Sequence, residues 1–303
     1  MIKKRYQGRA VTGILLYDKP AGVTSNEALQ QVKRIYQANK AGHTGSLDPL
    51  ATGLLPMCLG EATKVSPFLL DADKHYQVRV HLGVTTTTAD AEGEIIATAA
   101  WEHVNKEQVQ AQLPKFIGEI EQTPPMYSAI KHKGKRLYDL ARQGVEVERQ
   151  PRRIMIHSLT LTDWEPPELS LNLHCSKGTY VRTLAEDLGQ MVGCGAYVSA
   201  LRRLGVGPYD ATRMITNEML EAAARQSFEA LDALLLPPHS AMQHWSALQV
   251  SESTAFYLKQ GQAVLIPQAP TTGMVRLYTK TGTFFGVGII TDDGKVRAKR
   301  LLE

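Results

Sequence analysis

The pattern of apolar and polar residues predicts a chain that mixes strands with helices. Short apolar or alternating segments predict strands at residues 13–17, 76–82, 154–161 and 169–175. Helical spacing predicts helices at residues 106–117, 180–192 and 217–225. A further helix is expected after Thr24, because Thr24 and Glu27 have the T-x-x-E spacing of a capping box. Since no β-α-β unit repeats, we expect an α+β fold with a mixed or antiparallel sheet.

The C-terminal part of the chain has the pattern of a small, separate β module. Short apolar segments at residues 263–267, 274–279 and 284–291 are separated by Gly/Thr turns and by Asp292-Asp293-Gly294. The Pro-rich segment 236–239 marks a candidate hinge before them. A length of 303 residues also suits one large and one small domain. We therefore predict a first domain at residues 1–246 and a second at residues 247–303.

Several classes of protein are excluded by what the sequence lacks. No segment approaches the ~18 apolar residues of a membrane-spanning helix, and residues 1–5 lead into polar sequence without a signal-peptide core. Cys58, Cys175 and Cys194 are far apart, without metal-ligand spacing, so neither disulfides nor a metal site is expected. Walker, GxGxxG and HExxH motifs are absent. These observations predict a cytoplasmic protein without a metal or nucleotide cofactor.

Positive charge is concentrated in one segment, residues 131–153. This segment contains eight cations and three anions, which gives a local charge of +5, whereas the net charge of the whole chain is only +4. The eight cations are Lys131, Lys133, Lys135, Arg136, Arg142, Arg149, Arg152 and Arg153. Such clustering suits contact with a nucleic-acid backbone, although a solvated loop is an equally good interpretation of this segment alone. Lys295, Arg297 and Lys299 form a second cluster, with the same two interpretations.

A segment rich in glycine surrounds one carboxylate, Asp48. Gly42, Gly45 and Gly53 permit unusual backbone shapes, and Pro49 disfavours the helical conformation at Asp48. The same Asp-Pro pair is also a good helix start, so Asp48 is either a catalytic group or a helix N-cap. A single carboxylate fits an isomerase better than a glycoside hydrolase, which needs two carboxylates.

Several longer motifs carry a resemblance to a known family. They are Asp18–Ser25, Gly42–Pro56, Gly60–Lys64, Lys74–Tyr76, Met126–Lys131, Cys175–Leu184 and Leu201–Arg203. In this order, across nearly the whole chain, they resemble the bacterial tRNA pseudouridine-55 synthase (TruB) family. The resemblance implies a pseudouridine synthase catalytic domain with an RNA-binding insertion at about residues 124–153. It also implies that the small C-terminal domain is PUA-like and binds RNA.

The resemblance assigns roles to particular residues. Asp48 matches the family's catalytic aspartate, and Arg182 matches the arginine that lies against it. Local sequence supports the second assignment, because Thr179 has the character of an N-cap and Arg182 would then lie in the first helical turn, which disfavours a cation. A nearby cation is expected to hold the pKa of Asp48 down. Three roles stay open for Asp48, namely attack on C1′, attack on C6, or removal of a ribose proton.

Other residues are expected to hold the substrate. Tyr76 matches the tyrosine that stacks on the target base and is a candidate for handling the C5 proton. Tyr180 and Leu201 match walls of the uracil pocket, and His43 a contact to the RNA loop. RNA contacts are expected from Lys64, Lys131, Lys133, Lys135, Arg136, Arg142, Arg152 and Arg153.

The implied activity is cofactor-free isomerisation of uridine 55 in the T loop of transfer RNA, after the base is flipped out of its stack. We expect a monomer that needs no protein partner. Two alternatives stay open, an RNA chaperone that assists tRNA folding and a guide-RNA-dependent pseudouridylase subunit.

Overall fold

The structure, a computed structural model, describes residues 8–128 and 130–302, and at His132 the backbone alone. Residues 1–5 and Ala129, which entered the sequence analysis, lie outside this range. The strands are β1 (Gly13–Lys19), β2 (Ala41–His43), β3 (Thr52–Leu59), β4 (Lys74–Leu82), β5 (Val84–Thr86), β6 (Ile95–Thr98), β7 (Gly118–Gln122), β8 (Lys131–His132), β9 (Lys135–Arg136), β10 (Arg152–Glu165), β11 (Glu168–Cys175), β12 (Ala196–Val206), β13 (Tyr209–Asp210), β14 (Ser246–Val250), β15 (Met274–Thr279), β16 (Phe284–Ile290) and β17 (Val296–Leu301). The α-helices are α1 (Ser25–Ile35), α2 (Ser66–Leu70), α3 (Lys106–Gln112), α4 (Leu137–Ala141), α5 (Val181–Met191), α6 (Asn217–Gln226), α7 (Phe228–Asp232) and α8 (Glu252–Lys259).

One large sheet organises the first part of the chain. Its strand order is β1-β3-β12-β4-β11-β10-β7, with β2 beside β3 and β13 beside β12. Neighbouring strands are antiparallel except for β12 and β3, which pair in parallel through Arg202 opposite Thr52 and Arg203 opposite Gly53. The sheet is therefore mixed, and the predicted α+β class is confirmed.

Alternation along the strands divides the core between the two faces of this sheet. In β4, Val78, Val80 and Leu82 are fully buried and belong to a cluster that α1, α3 and α5 cover. In β1, Ile14 and Leu16 point to the other face, where they pack in a second cluster. Different helices thus cover the two faces, and polar residues of β4 such as Gln77 and Arg79 stay exposed.

A second, four-stranded sheet follows near the C-terminus. Its order is β14-β15-β16-β17, with β14 parallel to β15 and the other pairs antiparallel. It has its own core, to which α8 contributes Ala255 and Leu258. Val287 packs instead in the second cluster of the large sheet, so the two sheets share apolar contacts. The expected small β-rich C-terminal module is confirmed.

Local sequence signals account for several elements, and two local predictions are wrong. The capping box is present, because Thr24 Oγ1 accepts from the Glu27 amide at 3.1 Å and Glu27 accepts from the Thr24 amide at 2.7 Å. The segment 263–267 is not a strand and contributes only an isolated bridge at Val264. The segment 236–239 is not a hinge, because Leu236 is hydrogen-bonded to Ile14 and the 3-10 helix Pro238–Met242 that follows is largely buried. Among the described residues, no helix is long and apolar enough to cross a membrane.

Candidate active site

The loop between β2 and β3 carries Asp48 and is attached firmly to its surroundings. Buried Ser25, the first residue of α1, accepts a hydrogen bond from the Leu47 amide at 2.7 Å and donates to the Leu47 carbonyl at 3.0 Å. Lys19, at the end of β1, donates to the Pro49 carbonyl at 3.2 Å. No helix starts at Asp48, since residue 51 leads directly into β3. The interpretation of Asp48 as a helix N-cap is therefore wrong.

Arg182 connects this loop to helix α5. Its Nε lies 3.1 Å from Asp48 Oδ2, and its Nη2 lies 3.5 Å from Asp48 Oδ1. Nη2 also donates to the Tyr127 carbonyl at 2.7 Å, and Nη1 donates to the Thr88 carbonyl at 3.1 Å. The Arg182 side chain is 7% exposed, whereas that of Asp48 is 41% exposed. The arginine is thus a buried support for a carboxylate that solvent and substrate can reach.

The start of α5 differs in one detail from the sequence prediction. The helix begins at Val181 with Tyr180 as its N-cap residue, and no side chain caps it. Thr179 instead donates through Oγ1 to the Ser176 carbonyl at 3.0 Å, so its prediction as N-cap is wrong. Arg182 still lies in the first helical turn, where its charge opposes the helix dipole. Two carboxylates on other elements, Asp48 and Asp90, compensate for this unfavourable position of the Arg182 charge.

A second carboxylate, that of Asp90, holds the other side of Arg182. Asp90 Oδ2 lies 3.4 Å from Arg182 Nη1, and its side chain is only 2% exposed. Asp90 lies in the connection between β5 and β6, where its Oδ1 accepts from the Glu92 amide at 3.0 Å. The sequence analysis missed this residue. No local pattern marks it, because its partner is 92 positions away and the fold alone brings them together.

The electrostatic surroundings of Asp48 raise its pKa. Burial is the largest cause, Arg182 and Lys19 oppose it, and the charge of Asp90 adds to it. Arg182 is the nearby cation that was expected to hold this pKa down, and its charge does lower the pKa of Asp48. The cation is present, but burial and the second carboxylate outweigh it. Burial also lowers the pKa of Lys19 to about 8.

Tyr76 and Leu201 lie on neighbouring strands of the large sheet, β4 and β12. Tyr76 belongs to β4 and is partly buried against the main core cluster, which contains Leu201 of β12. Burial raises the pKa of the Tyr76 hydroxyl, the Asp48 charge acts in the same direction, and Arg203 opposes both. Arg203, which sequence analysis assigned no role, is 1% exposed and donates through Nε to the Leu54 carbonyl at 2.7 Å. Its Nη2 donates to the Gly45 carbonyl at 3.1 Å, so it joins Tyr76 to the Asp48 loop.

His43 and Tyr180 complete the set of residues expected to line the site. Burial lowers the pKa of His43, and so does the nearby charge of Arg203, which favours a neutral imidazole. Its Nδ1 is buried without a hydrogen-bond partner among the described residues. Tyr180 is tied to β7, because its amide donates to Gln122 Oε1 at 2.7 Å and its carbonyl accepts from Gln122 Nε2 at 3.0 Å. Burial raises the pKa of Tyr180, and Asp48 is close enough to contribute.

The residues expected to contact RNA are all described and mostly exposed. Lys64 differs from the others because its side chain is only partly exposed and forms an ion pair with Glu61 at 2.5 Å. Exposed positions are Lys131, Lys133, Lys135, Arg136, Arg142, Arg152 and Arg153. Two of these surround Tyr138: Arg136, at the end of β9, donates to the Tyr138 hydroxyl at 2.9 Å, and Arg142 lies over the Tyr138 ring. Tyr127, four residues before the basic segment 131–153, lies beside the site, since its carbonyl accepts a hydrogen bond from Arg182.

Comparison with known structures identifies the class of fold. The chain is similar to a chain in "Crystal Structure of a Cbf5-Nop10-Gar1 Complex", with a TM-score of 0.74 and 25% identity, covering 95% of this chain and 84% of that chain. It is also similar in fold to a chain in "Structure of H/ACA RNP bound to a substrate RNA containing 2'-deoxyuridine", with a TM-score of 0.73 and 22% identity, covering 96% and 85%.

Sequence comparisons are more specific. Residues 33–181 match the family model "TruB family pseudouridylate synthase (N terminal domain)". Residues 182–243 match "tRNA pseudouridylate synthase B C-terminal domain", and residues 246–302 match "Pseudouridine synthase II TruB, C-terminal".

Full-length relatives agree with these models. The chain is 55% identical to "tRNA pseudouridine synthase B" of Nitrosococcus oceani, covering 99% of this chain and 97% of the relative. It is 53% identical to the protein of that name from Coxiella burnetii (97% and 96% covered) and 52% identical to that from Pseudomonas aeruginosa (97% and 97% covered). The chain belongs to the TruB family of pseudouridylate synthases, as its motifs had indicated.

Proposed function

We propose that this protein isomerises uridine 55 in the T loop of transfer RNA to pseudouridine, with Asp48 as the catalytic carboxylate. In this reaction the C1′–N1 bond breaks, the uracil rotates, and a C1′–C5 bond forms. The hydrogen at C5 is released as a proton, and N1 gains one. The curated relatives named above are tRNA pseudouridine synthases, which supports transfer RNA as the substrate.

The observation that carries this proposal is the position of Asp48 in front of a buried arginine. Each of the three roles open to Asp48 requires an ionised carboxylate, because only that form is a nucleophile or a base. Arg182 supplies two contacts at 3.1 and 3.5 Å that favour ionisation, and its own orientation is fixed by Asp90 and two backbone carbonyls. The carboxylate keeps enough exposure to reach a flipped nucleotide.

The surrounding side chains suit a flipped uracil. Tyr76 and Tyr180 offer aromatic rings near the carboxylate, on which a base can stack. Leu201 adds an apolar wall beside Tyr76, and a neutral His43 can hydrogen-bond to the RNA without adding charge. Extrusion of the base costs a few kcal/mol, and stacking together with phosphate contacts would offset that cost. We assign base contact to Tyr76, Tyr180 and Leu201, and loop contact to His43.

The exposed cations of residues 131–153, with Lys64, are proposed to bind the RNA backbone. Their segment is joined to the site at Tyr127, so closure of this insertion over the RNA would place positive charge around the flipped nucleotide. In the same proposal, residues 1–246 form the catalytic domain and residues 247–303 add RNA-binding surface.

Release of tritium from transfer RNA labelled at C5 of uridine tests the proposed reaction. The wild-type chain should release one equivalent per transcript, and a transcript with cytidine at position 55 should release none. Asp48→Asn removes the ionised oxygen with little change of shape and should lower the rate at least about a thousandfold, more than 4 kcal/mol in barrier. Asp71→Asn is the matched control, because Asp71 is an exposed carboxylate paired with Lys177. Normal release by Asp48→Asn would remove Asp48 from the mechanism.

The same assay distinguishes the alternatives of chaperone and guided subunit. We propose that the chain acts as a monomer in the cytoplasm without a protein partner or guide RNA, because the exposed cations of residues 131–153 provide a surface that could bind the RNA directly. The purified chain should therefore act on a bare T-stem-loop, and its rate per active site should not depend on protein concentration. Light scattering should give the monomer mass. Activity that appears only with added protein or guide RNA would refute this part.

Replacement of Lys131, Lys133 and Lys135 by glutamate tests the backbone contacts. Affinity for the stem-loop should fall, and the slope of log K against log salt should decrease by about 0.7–0.9 for each phosphate that the variant no longer neutralises. Lys106→Glu with Lys115→Glu, at exposed positions in α3 and in the 3-10 helix Leu113–Phe116 after it, serves as control. Equal effects in both variants would show that total charge, and not this segment, determines binding.

A further inference from the structure

Three titratable side chains meet on the face of the large sheet that points away from Tyr76. Asp73 precedes β4, His157 belongs to β10, and His174 belongs to β11. His174 lies directly opposite His75 across the β11-β4 pair, and cross-strand neighbours share a face. Since His75 and Tyr76 are consecutive, they point to opposite faces. The group is therefore separate from the Asp48 site.

The ligand atoms of this group lie nearly as close together as the ligand atoms around a bound metal ion. Asp73 Oδ2 is 3.1 Å from His157 Nε2 and 4.0 Å from His174 Nε2. One ligand atom from each of the three residues lies within 4.8 Å of the others. In a tetrahedral zinc site with ligand distances of about 2.1 Å, ligand atoms are about 3.4 Å apart. Small side-chain rotations would bring all three to that separation.

The backbone and a neighbouring ring hold the two imidazoles in place. The pairing of β10 with β11 shifts register between Ile156 and Ser158, so His157 occupies an irregularity in the strand. The His174 ring is stacked on that of His75, with centroids 3.8 Å apart and planes 16° apart. Gly205 leaves room for this stack, because a Cβ at that position would lie 3.2 Å from the Cβ of His75.

The exposure of these side chains and the chemistry of their donor atoms also suit a metal ion. The three side chains are 30–45% exposed, which gives an ion a path to them and leaves a coordination position open to water. Two imidazole nitrogens and one carboxylate oxygen select zinc and its neighbours among the divalent ions, and not Mg²⁺, which prefers oxygen alone.

We propose that Asp73, His157 and His174 bind a divalent transition-metal ion of the zinc type. The bound ion would join the residue before β4 to the consecutive strands β10 and β11, which lie more than 70 residues further along the chain. It would therefore stabilise the folded chain without taking part in the isomerisation. Sequence analysis predicted no metal site, because the ligands are separated by 84 and 17 residues and have no motif spacing.

Calorimetric titration of the untagged, chelator-treated chain with Zn²⁺ tests this site. One equivalent should bind, and the midpoint of thermal unfolding should rise by several degrees in excess zinc. His157→Gln should weaken binding at least about tenfold and abolish the thermal shift. His103→Gln is the matched control, because His103 is an exposed histidine outside the group. Co²⁺ should give the visible absorption of a nitrogen- and oxygen-ligated ion in the wild type and in the control alone.

Asp73→Asn provides a second variant if loss of His157 disturbs the sheet. It keeps the size of the side chain and should also weaken Zn²⁺ binding at least about tenfold, with an unchanged far-UV spectrum. Absence of stoichiometric binding to the wild type would overturn the proposal. So would an equal loss of affinity in His103→Gln, because that result would show adventitious binding to surface histidines.

Discussion

Asp90 provides the sharpest test of how the site controls Asp48, the proposed catalytic carboxylate. Asp90→Asn removes one charge from the far side of Arg182 and keeps an oxygen that can accept from the Glu92 amide. Breaking a buried ion pair costs about 3–5 kcal/mol when the remaining charge is left alone. Arg182 is not left alone, because Asp48 and two backbone carbonyls still contact it. We therefore expect a loss of about 1–2 kcal/mol in transition-state stabilisation, a fivefold to thirtyfold fall in kcat.

The pH dependence of the same variant has a predicted sign. Asp48 acts only when ionised, so activity is lost as the pH falls through its pKa. Burial and the charge of Asp90 raise that pKa above the ordinary value of 3.8. The wild type should therefore lose activity at a higher pH than an unperturbed aspartate would. Removal of the Asp90 charge should move this acid limb to lower pH.

Single-turnover tritium release between pH 4.5 and 8 measures both effects, because it follows the chemical step and not product release. Glu94→Gln is the matched control, since Glu94 is exposed in the same connection between β5 and β6. It should leave rate and pH profile unchanged. An acid limb that stays in place or moves to higher pH in Asp90→Asn would refute the electrostatic role, and a change in KM alone would indicate a role in binding.

Three further substitutions test the supports of the site, each by urea unfolding and tritium release. Gly53→Ala should lower the free energy of unfolding by more than about 2 kcal/mol, because φ is +98° and a Cβ would lie 2.3 Å from the Arg203 carbonyl oxygen. The control Gly178→Ala, at φ +81° in open space, should lower it by only about 1 kcal/mol. Equal losses in the two variants would contradict a steric clash at Gly53. Lys19→Met should lower the free energy of unfolding by about 1–3 kcal/mol and also lower kcat, because three backbone carbonyls lose their hydrogen-bond donor. Normal stability and rate would show that these hydrogen bonds are dispensable. Tyr36→Phe removes one buried hydrogen bond to a backbone carbonyl and should cost about 1 kcal/mol with kcat unchanged, and a fall in kcat would contradict a purely structural role.

The electrostatic arrangement shows how one half-buried carboxylate, Asp48, can be both held in place and left accessible. Arg182 carries one positive charge between two carboxylates, and the more buried of these, Asp90, is closed off from solvent. In the proposed mechanism, the buried carboxylate holds the arginine in place, and the more accessible one, Asp48, takes part in the reaction. Asp90 and the carbonyls of Thr88 and Tyr127 together fix the orientation of Arg182 at the unfavourable end of α5.

Much of the local structure followed from the sequence by itself. The capping box placed the start of α1, and period-two alternation placed β4 and β11 within two residues, because both signals depend on neighbours in the chain. The motifs identified the family and, through it, the pair formed by Asp48 and Arg182. Without that resemblance, the local sequence supports a helix cap at Asp48 as well as it supports a catalytic group. No local pattern connects Asp48 with Arg182, which lies 134 positions away.

Only the tertiary structure decided which distant groups meet. Asp90 reaches Arg182 because the connection between β5 and β6 packs beside α5, and Arg203 reaches the Asp48 loop because β12 lies parallel to β3. The metal site proposed at Asp73 depends in the same way on the β10 irregularity that carries His157. Strand order, register and bulges set these contacts, and a pattern of apolar residues specifies which face is buried but not which strand becomes the neighbour.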